Sequence, residues 1–322
     1  MDRGSRVFGQ PMGRQFPRHH ACGLLILLCL WGVGLAQARS ASARTVTDML
    51  GRPVTVPDRP LRIVSLAPSI TETVFALGRE SWLVGVTAFC DYPAAARTVP
   101  KVGGMATPNL EEIVARQPDL VLTTAEGNSR EFLGQMDRLG ISTFALRPDG
   151  SETMLQSIAD LGRVLDAEPT ASGIVAGIRT RMRDIGKRVA GRQRPRVLYL
   201  IWTDPLIGAG PGSYLNDLIT LAGGRSVVTE RTVPYPRLNW EQIVGWAPEV
   251  ILLAKHGDGR SSAESSLPPG WEAWQAIPAI RNRRVASIPD DTVLRPGPRV
   301  GEGLARLAQA IHPGTSAAGE AK

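Results

Sequence analysis

Asn109-Leu-Glu-Glu-Ile-Val-Ala-Arg-Gln-Pro-Asp-Leu-Val-Leu122 returns 130 positions later as Asn239-Trp-Glu-Gln-Ile-Val-Gly-Trp-Ala-Pro-Glu-Val-Ile-Leu252. Asn109 and Asn239, Glu111 and Glu241, Ile113 and Ile243, Val114 and Val244, Pro118 and Pro248, and Leu122 and Leu252 match at that offset. Each copy reads as a helix leading into a strand. The Asn caps the helix, Ile and Val face a sheet, Pro ends the helix, and an apolar run follows. The chain therefore carries one lobe design twice. Only the Glu has no role in packing. In the first turn it suits the helix dipole, a contribution of about 0.3–1 kcal/mol at an exposed site; two equivalent carboxylates, one per lobe, could also grip a symmetric partner.

Outward from the first copy, Arg62–Ala67 reads as a buried strand, and Pro68-Ser-Ile-Thr-Glu72 opens a helix with Ser69 and Glu72 at capping-box spacing. Strands over Leu83–Thr87, Asp119–Thr124 and Ser142–Leu146 alternate with helices over Asn109–Arg116 and Ser129–Leu139. From Ser151 to Ala190 apolar residues fall at helical intervals, with Pro169 dividing two helices. The second, from about Thr170 to Ala190, would span about 30 Å and act as a rigid connector. Around the second copy the alternation resumes: strand Arg196–Ile201, helices Tyr214–Ala222 and Trp240–Trp246, strands Glu249–Ala254 and Val285–Ile288, and a final helix Val300–Ile311. This pattern predicts an α/β fold with mainly parallel sheets covered on both faces. The expected divisions are an N-terminal lobe over 45–167, a connecting helix over 168–192, a C-terminal lobe over 193–312 and a disordered tail over 313–322. His256–Gly270, rich in Gly, Ser and Pro, reads as an exposed loop.

The first 38 residues have the form of a leader. Arg3, Arg6, Arg14 and Arg18 precede an apolar run from Cys22 to Ala36, and Ala36-Gln-Ala38 offers a cleavage site. The run is shorter than the roughly 20 residues a spanning helix needs, and Leu28 before Cys29 argues against a lipid anchor. Export to the periplasm as a soluble chain is expected. Cys90 is then the only one of three cysteines retained, which excludes an internal disulfide. Losing four arginines and Asp2 takes the formal charge from +7 to +4, a scattered excess that does not favour nucleic acid. His256 and His312 are too far apart in sequence to suggest a metal site, and there is neither a GxSxG elbow nor an HExxH helix. No metal, cofactor or enzymatic activity is expected. Gly208-Ala-Gly-Pro-Gly212 fits neither a P-loop nor a dinucleotide fingerprint and reads as turns.

Ile63-Val-Ser-Leu-Ala-Pro-Ser-Ile-Thr-Glu72, Cys90-Asp-Tyr-Pro93, Asn109-Leu-Glu111 through Pro118-Asp-Leu-Val121, Val233-Pro-Tyr-Pro236 through Glu241, and Pro298-Arg299 occur in this order over most of residues 45–312. In these segments the chain resembles the periplasmic binding proteins for cobalamin, haem and iron–siderophore complexes, most closely the cobalamin branch. The resemblance implies two Rossmann-like lobes joined by one long helix, the class III architecture, with ligand held between them and only small hinge motion. It also implies a partner, an ABC permease dimer with its ATPase subunits, whose arginine pockets would receive Glu111 and Glu241. The carrier would act as a monomer.

The same resemblance implies that cobalamin or a related corrinoid packs on aromatic faces, with Phe89 in the first lobe and Tyr235 in the second at the corresponding positions. Asp291 and Arg295 fall where that branch places polar groups near its ligand. Aromatic residues expected at Met105 or Ala106, Thr124, Ile201 and Ile207 are missing, and Tyr92 and Trp202 are the candidates to replace them. Haem or an iron–siderophore complex is the alternative cargo. An exported α/β enzyme acting on an envelope substrate is the alternative class.

Overall fold

The computed structural model describes residues 42–127, 130–255, 271 and 274–314. The expected leader, the loop His256–Gly270 and all but the first two residues of the expected tail lie outside them. The chain opens with a hairpin, β1 (Ala43–Thr47) and β2 (Pro53–Pro57), paired antiparallel. Its turn is organised by buried Asp48, whose carboxylate accepts from the Leu50 and Arg52 amides and from the Arg52 guanidinium. The sequence pattern does not reveal this hairpin, because its alternation is short and only Val54 and Val56 are buried.

Strands β3 (Ile63–Ser65), β4 (Leu83–Val86), β5 (Leu120–Thr124) and β6 (Thr143–Leu146) form a parallel sheet in the order β4-β3-β5-β6. The hairpin turn closes its β6 edge, where the Met49 amide donates to the Ala145 carbonyl. Helices α1 (Pro68–Ala76), α2 (Leu110–Ala115) and α3 (Arg130–Arg138) connect these strands, and α4 (Ser151–Val164) follows them. The second sheet contains β7 (Arg196–Thr203), β8 (Leu206–Gly208), β9 (Arg225–Ser226), β10 (Val250–Lys255) and β11 (Val285–Pro289). Its order is β11-β10-β7-β8, with β9 beside β7; all pairs are parallel except β7 with β8. Between the sheets runs α5 (Glu168–Val189), whose 22 residues give a rod of about 33 Å. Pro169 lies in its first turn, where a missing amide costs nothing. Helices α6 (Tyr214–Leu221), α7 (Trp240–Trp246), α8 (Pro278–Arg281), α9 (Asp290–Val293) and α10 (Val300–Ile311) complete the described chain.

The strands are buried on both faces, so successive residues enter different cores. Ile63, Leu120, Leu122, Phe144 and Leu146 of the first sheet share one apolar cluster with Val197, Tyr199, Val250 and Leu252 of the second. Ile178, Met182 and Ile185 of α5 and Leu304, Leu307 and Ile311 of α10 belong to the same cluster. Their neighbours in sequence point the other way: Val64, Leu66 and Val121 enter a core private to the first lobe, and Leu198, Leu200, Ile251 and Leu253 one private to the second.

The repeat is realised as structure, with one correction: Ile113 and Ile243 are buried, but Val114 and Val244, a helical step of about 100° further round, are exposed and do not face the sheet. Asn109 accepts from the Glu112 amide and Asn239 from the Gln242 amide, each capping its helix. Both helices end at a residue in the left-handed region, Gln117 at φ 47° and Ala247 at φ 46°, immediately before the matching prolines. A further correspondence lies outside the fixed offset. The Arg62 guanidinium donates to the Gln117 and Arg116 carbonyls, and Arg196 Nε donates to the Ala247 carbonyl. The Arg62 amide donates to Asp119 and the Arg196 amide to Glu249. An arginine at the start of the central strand thus clasps the helix end in both lobes.

The expected capping box at Ser69 and Glu72 does not form. Ala67 is the N-cap of α1, Pro68 occupies the first turn, and no side chain caps the helix. Glu72 is only 4 % exposed and is engaged elsewhere.

Candidate functional site

Parallel strands end together, so the loops that follow them collect along one edge of a sheet. In the first lobe, the segment after β4 carries Phe89, Cys90, Asp91 and Tyr92. It is held by the Ala88 amide donating to Gly103 and by Lys101 donating to the Cys90 and Ala96 carbonyls. Gly103 turns at φ 101°, where a Cβ would come within 2.6 Å of the Asn109 nitrogen. That close turn brings the α2 cap to the same edge, where the Asn109 amide donates to Val102. In the second lobe Trp202 stands near the end of β7. The 228–236 segment packs over Gly210, whose amide donates to Pro234; a Cβ there would meet Val228, the Glu230 carbonyl and Pro236 at 3.2–3.3 Å. The Leu238 amide donates to Leu206, which pairs with Thr203, so the α7 cap is also held at the carboxyl edge.

Phe89, Tyr92 and Trp202 are 56 %, 45 % and 40 % exposed, although each is large and apolar. Met105 and Val233 are exposed on neighbouring segments. Tyr235 is half-buried against the shared core. Burial, together with the carboxylates of Glu126 and Asp149 from the first lobe, raises its phenol above the ordinary tyrosine value. Glu126 is itself raised by burial and by Asp149. Thr124, at a position where an aromatic residue was expected, is buried, and its hydroxyl accepts from the Gly127 amide.

Asp291 and Arg295 do come to the inter-lobe region, but as members of an ion cluster. Arg299 Nε and Nη2 donate to the two carboxylate oxygens of Glu72 at 2.8 and 2.7 Å, and Arg295 Nη1 donates to Glu72 at 3.1 Å. Arg295 also reaches Asp91 at 2.7 Å, and Arg299 reaches Asp291 at 2.8 Å. The Arg299 guanidinium lies over the Tyr92 ring, 3.8 Å from its centroid. Burial works to raise the Asp91 carboxyl, but the hydrogen bond and charge of Arg295 outweigh it and hold it below the ordinary aspartate value. Burial disfavours the charged Arg299, yet Glu72 and Asp291 raise its pKa. The cluster ties α1 and the segment after β4 to the segment between α9 and α10.

The periplasmic binding protein family matches residues 63–292. The chain belongs to this family. It is 31% identical over 243 residues to the vitamin B12-binding protein of Vibrio cholerae, covering 74% of this chain and 84% of the relative. It is 29% identical over 278 residues to an uncharacterised ABC transporter substrate-binding lipoprotein of Bacillus subtilis, covering 84% and 86%. The crystal structure of a periplasmic haem-binding protein from Pseudomonas aeruginosa superimposes with a TM-score of 0.70 at 27% identity, over 80% of this chain and 94% of that one.

For a periplasmic binding protein, the two repeated carboxylates are well presented. Glu111 and Glu241 are exposed in the first turns of α2 and α7, and among the described residues neither has an ion-pair partner. Glu112, beside Glu111, is instead paired with Arg116 at 3.2 Å. Sequence reasoning misses the part played by two residues of the inter-lobe cluster: Arg299 enters only within Pro298-Arg299, and Glu72 is assigned to a cap. The available signal is Glu72's place between Ile70 and Val74 on a buried helix, where an acid needs a cationic partner. Cys90 is buried, with the Thr71 and Thr87 hydroxyls each 3.1 Å from its sulfur.

Proposed function

We propose that this binding protein captures cobalamin or a related corrinoid between its lobes, in the periplasm, and delivers it as a monomer to an ABC permease dimer with ATPase subunits. The observation that carries the reading is the set of rings offered from both lobes at their carboxyl edges: Phe89 and Tyr92 from one, Trp202 and Tyr235 from the other. Exposed rings are costly unless something flat and apolar covers them, and a corrin with its attached base supplies such faces. The similarity to a vitamin B12-binding protein supports the same cargo. Glu111 and Glu241, one per lobe and without an ion-pair partner among the described residues, supply the docking contacts; charge-assisted pairing with permease arginines is the chemistry they fit. The chain is read as a carrier and not as an enzyme, in keeping with its family.

A second reading, haem, is favoured by one observation. Tyr92 places an oxygen-bearing ring at the cleft edge, available to an iron centre, and the similarity to a haem-binding structure agrees with it. Calorimetric and absorbance titration of the purified protein with cyanocobalamin, cobinamide and haemin separates the two. Heat and a spectral change with a corrinoid are expected. Silence with both corrinoids refutes that cargo, and a shifted Soret band with haemin would replace it.

A further inference from the structure

The amino-terminal edge of the second sheet, opposite the ring-bearing edge, is rich in arginine, and Glu249, just before β10 on that edge, is taken up by the Arg196 amide and guanidinium. Arg188 lies in the last turn of α5 and Arg192 just beyond it, Arg194 leads into β7, and Arg225 begins β9; all are exposed. Arg281, also exposed, ends α8, and exposed Arg283 and half-buried Arg284 lie between α8 and β11. Hydrogen bonds join the segments that carry these groups. Arg192 donates to the Arg188 carbonyl, Arg194 to Thr220 and Gly224, and Arg284 to Ile311. The Arg225 amide donates to Pro195. Burial and the charges of Arg192 and Arg284 lower the pKa of His312, which lies between them.

No Asp or Glu occurs in the stretches 188–196, 221–229 or 279–287. Among the described residues none of these arginines has a carboxylate partner. The first lobe is an internal control, because it is built on the same design. Asp119 beside Arg62 has its counterpart in Glu249 beside Arg196, but the first lobe also pairs Glu112 with Arg116 at 3.2 Å and Asp58 with Arg44 at 3.4 Å. Clustered arginines are therefore not a requirement of the fold. Their like charges repel, and an external anion would relieve that repulsion.

Among the described residues the exposed large apolar side chains lie at Leu61, Phe89, Tyr92, Met105, Val114, Leu139, Trp202, Val233 and Val244, none of them on the segments that carry these arginines. Protein interfaces draw their energy from buried aromatic and apolar anchors, and this surface has none. A wet, extended, purely electrostatic surface suits a plane of phosphates. We propose that the amino edge of the second lobe is a docking surface for an anionic, phosphate-bearing lipid surface. Such docking leaves the rings and the two repeated carboxylates, at the opposite edge, uncovered.

The test is sedimentation of the purified chain, at low salt, with vesicles of phosphatidylcholine alone and with vesicles of phosphatidylcholine and phosphatidylglycerol. Binding only to the anionic vesicles is expected, weakening as salt rises. Arg188→Ser, Arg225→Ser and Arg281→Ser together remove three side chains that make no hydrogen bond among the described residues, and should reduce partitioning on the order of a hundredfold. The corresponding Arg→Lys triple should retain it. Arg59→Ser, Arg130→Ser and Arg138→Ser remove the same net charge from the first lobe and should change it little. Inorganic phosphate at matched ionic strength should compete no better than chloride if the patch reads a plane of headgroups; selective displacement by phosphate would replace the lipid with the free anion. Equal binding to both vesicle types, or equal losses from the patch and first-lobe triples, overturns the proposal.

Discussion

Replacing Glu72 with Gln keeps its volume and removes the charge at the centre of the inter-lobe cluster. Three guanidinium hydrogen bonds end on its two oxygens, and bonds to charged groups contribute about 1.5–3 kcal/mol each. Their sum overstates the effect. Arg295 keeps Asp91 and Arg299 keeps Asp291, and the amide retains an acceptor oxygen. Removing one partner of a buried pair costs about 3–5 kcal/mol, and the surviving carboxylates place Glu72→Gln near the lower limit, at about 3 kcal/mol. At roughly 2–4 °C per kcal/mol, thermal unfolding should fall by about 6–12 °C. The side chains of Glu72, Arg299 and Arg295 are 2 %, 11 % and 18 % exposed, so salt should recover little of the loss. In a cycle with Arg299→Met, the double variant should be less destabilised than the sum of the singles by at least about 1 kcal/mol. A loss below about 1 kcal/mol, or simple additivity, would refute the cluster as the electrostatic tie between the lobes.

Glu111→Arg combined with Glu241→Arg should change unfolding by less than about 0.5 kcal/mol, because both positions are exposed and unpaired. The same double variant should abolish stimulation of the transporter ATPase at unchanged ligand affinity; full stimulation would exclude these residues from the interface. Phe89→Ala should leave the melting temperature unaltered while weakening cargo binding about tenfold by titration, since its ring is 56 % exposed without ligand. His312 has a lowered folded pKa, so the native state favours its neutral form. Its contribution to stability is present above the unfolded value of about 6.5 and is lost as pH falls through the folded value. Urea midpoints measured across that window should decline more for the natural chain than for His312→Gln.

The sequence reveals those features that local chemistry repeats. The Asn caps, the matching prolines and the break at Pro169 lie where spacing predicts them, and helix Val300–Ile311 has the predicted limits. What is hidden depends on partners distant in the chain. Glu72 looks like a capping acid until Arg299, 227 residues away, reaches it. The arginine clasps escape a fixed-offset comparison because Arg62 and Arg196 lie 134 positions apart, whereas the helices they hold lie 130 apart. Phe89 and Trp202 are recognisable as candidates from resemblance; that they stay exposed is decided by the turns that carry them. The cationic edge is invisible in the modest overall charge, because it is assembled from three separate segments of the second lobe.

The apolar cluster common to both sheets bears on ancestry. The inner face of each sheet is covered by helices and by the other half of the molecule, so neither half has a closed surface of its own. A progenitor consisting of one repeat would have displayed that face to water. It would have persisted only as a symmetric pair, each copy covering the other. In the present chain the two repeats supply that cover to each other within one polypeptide.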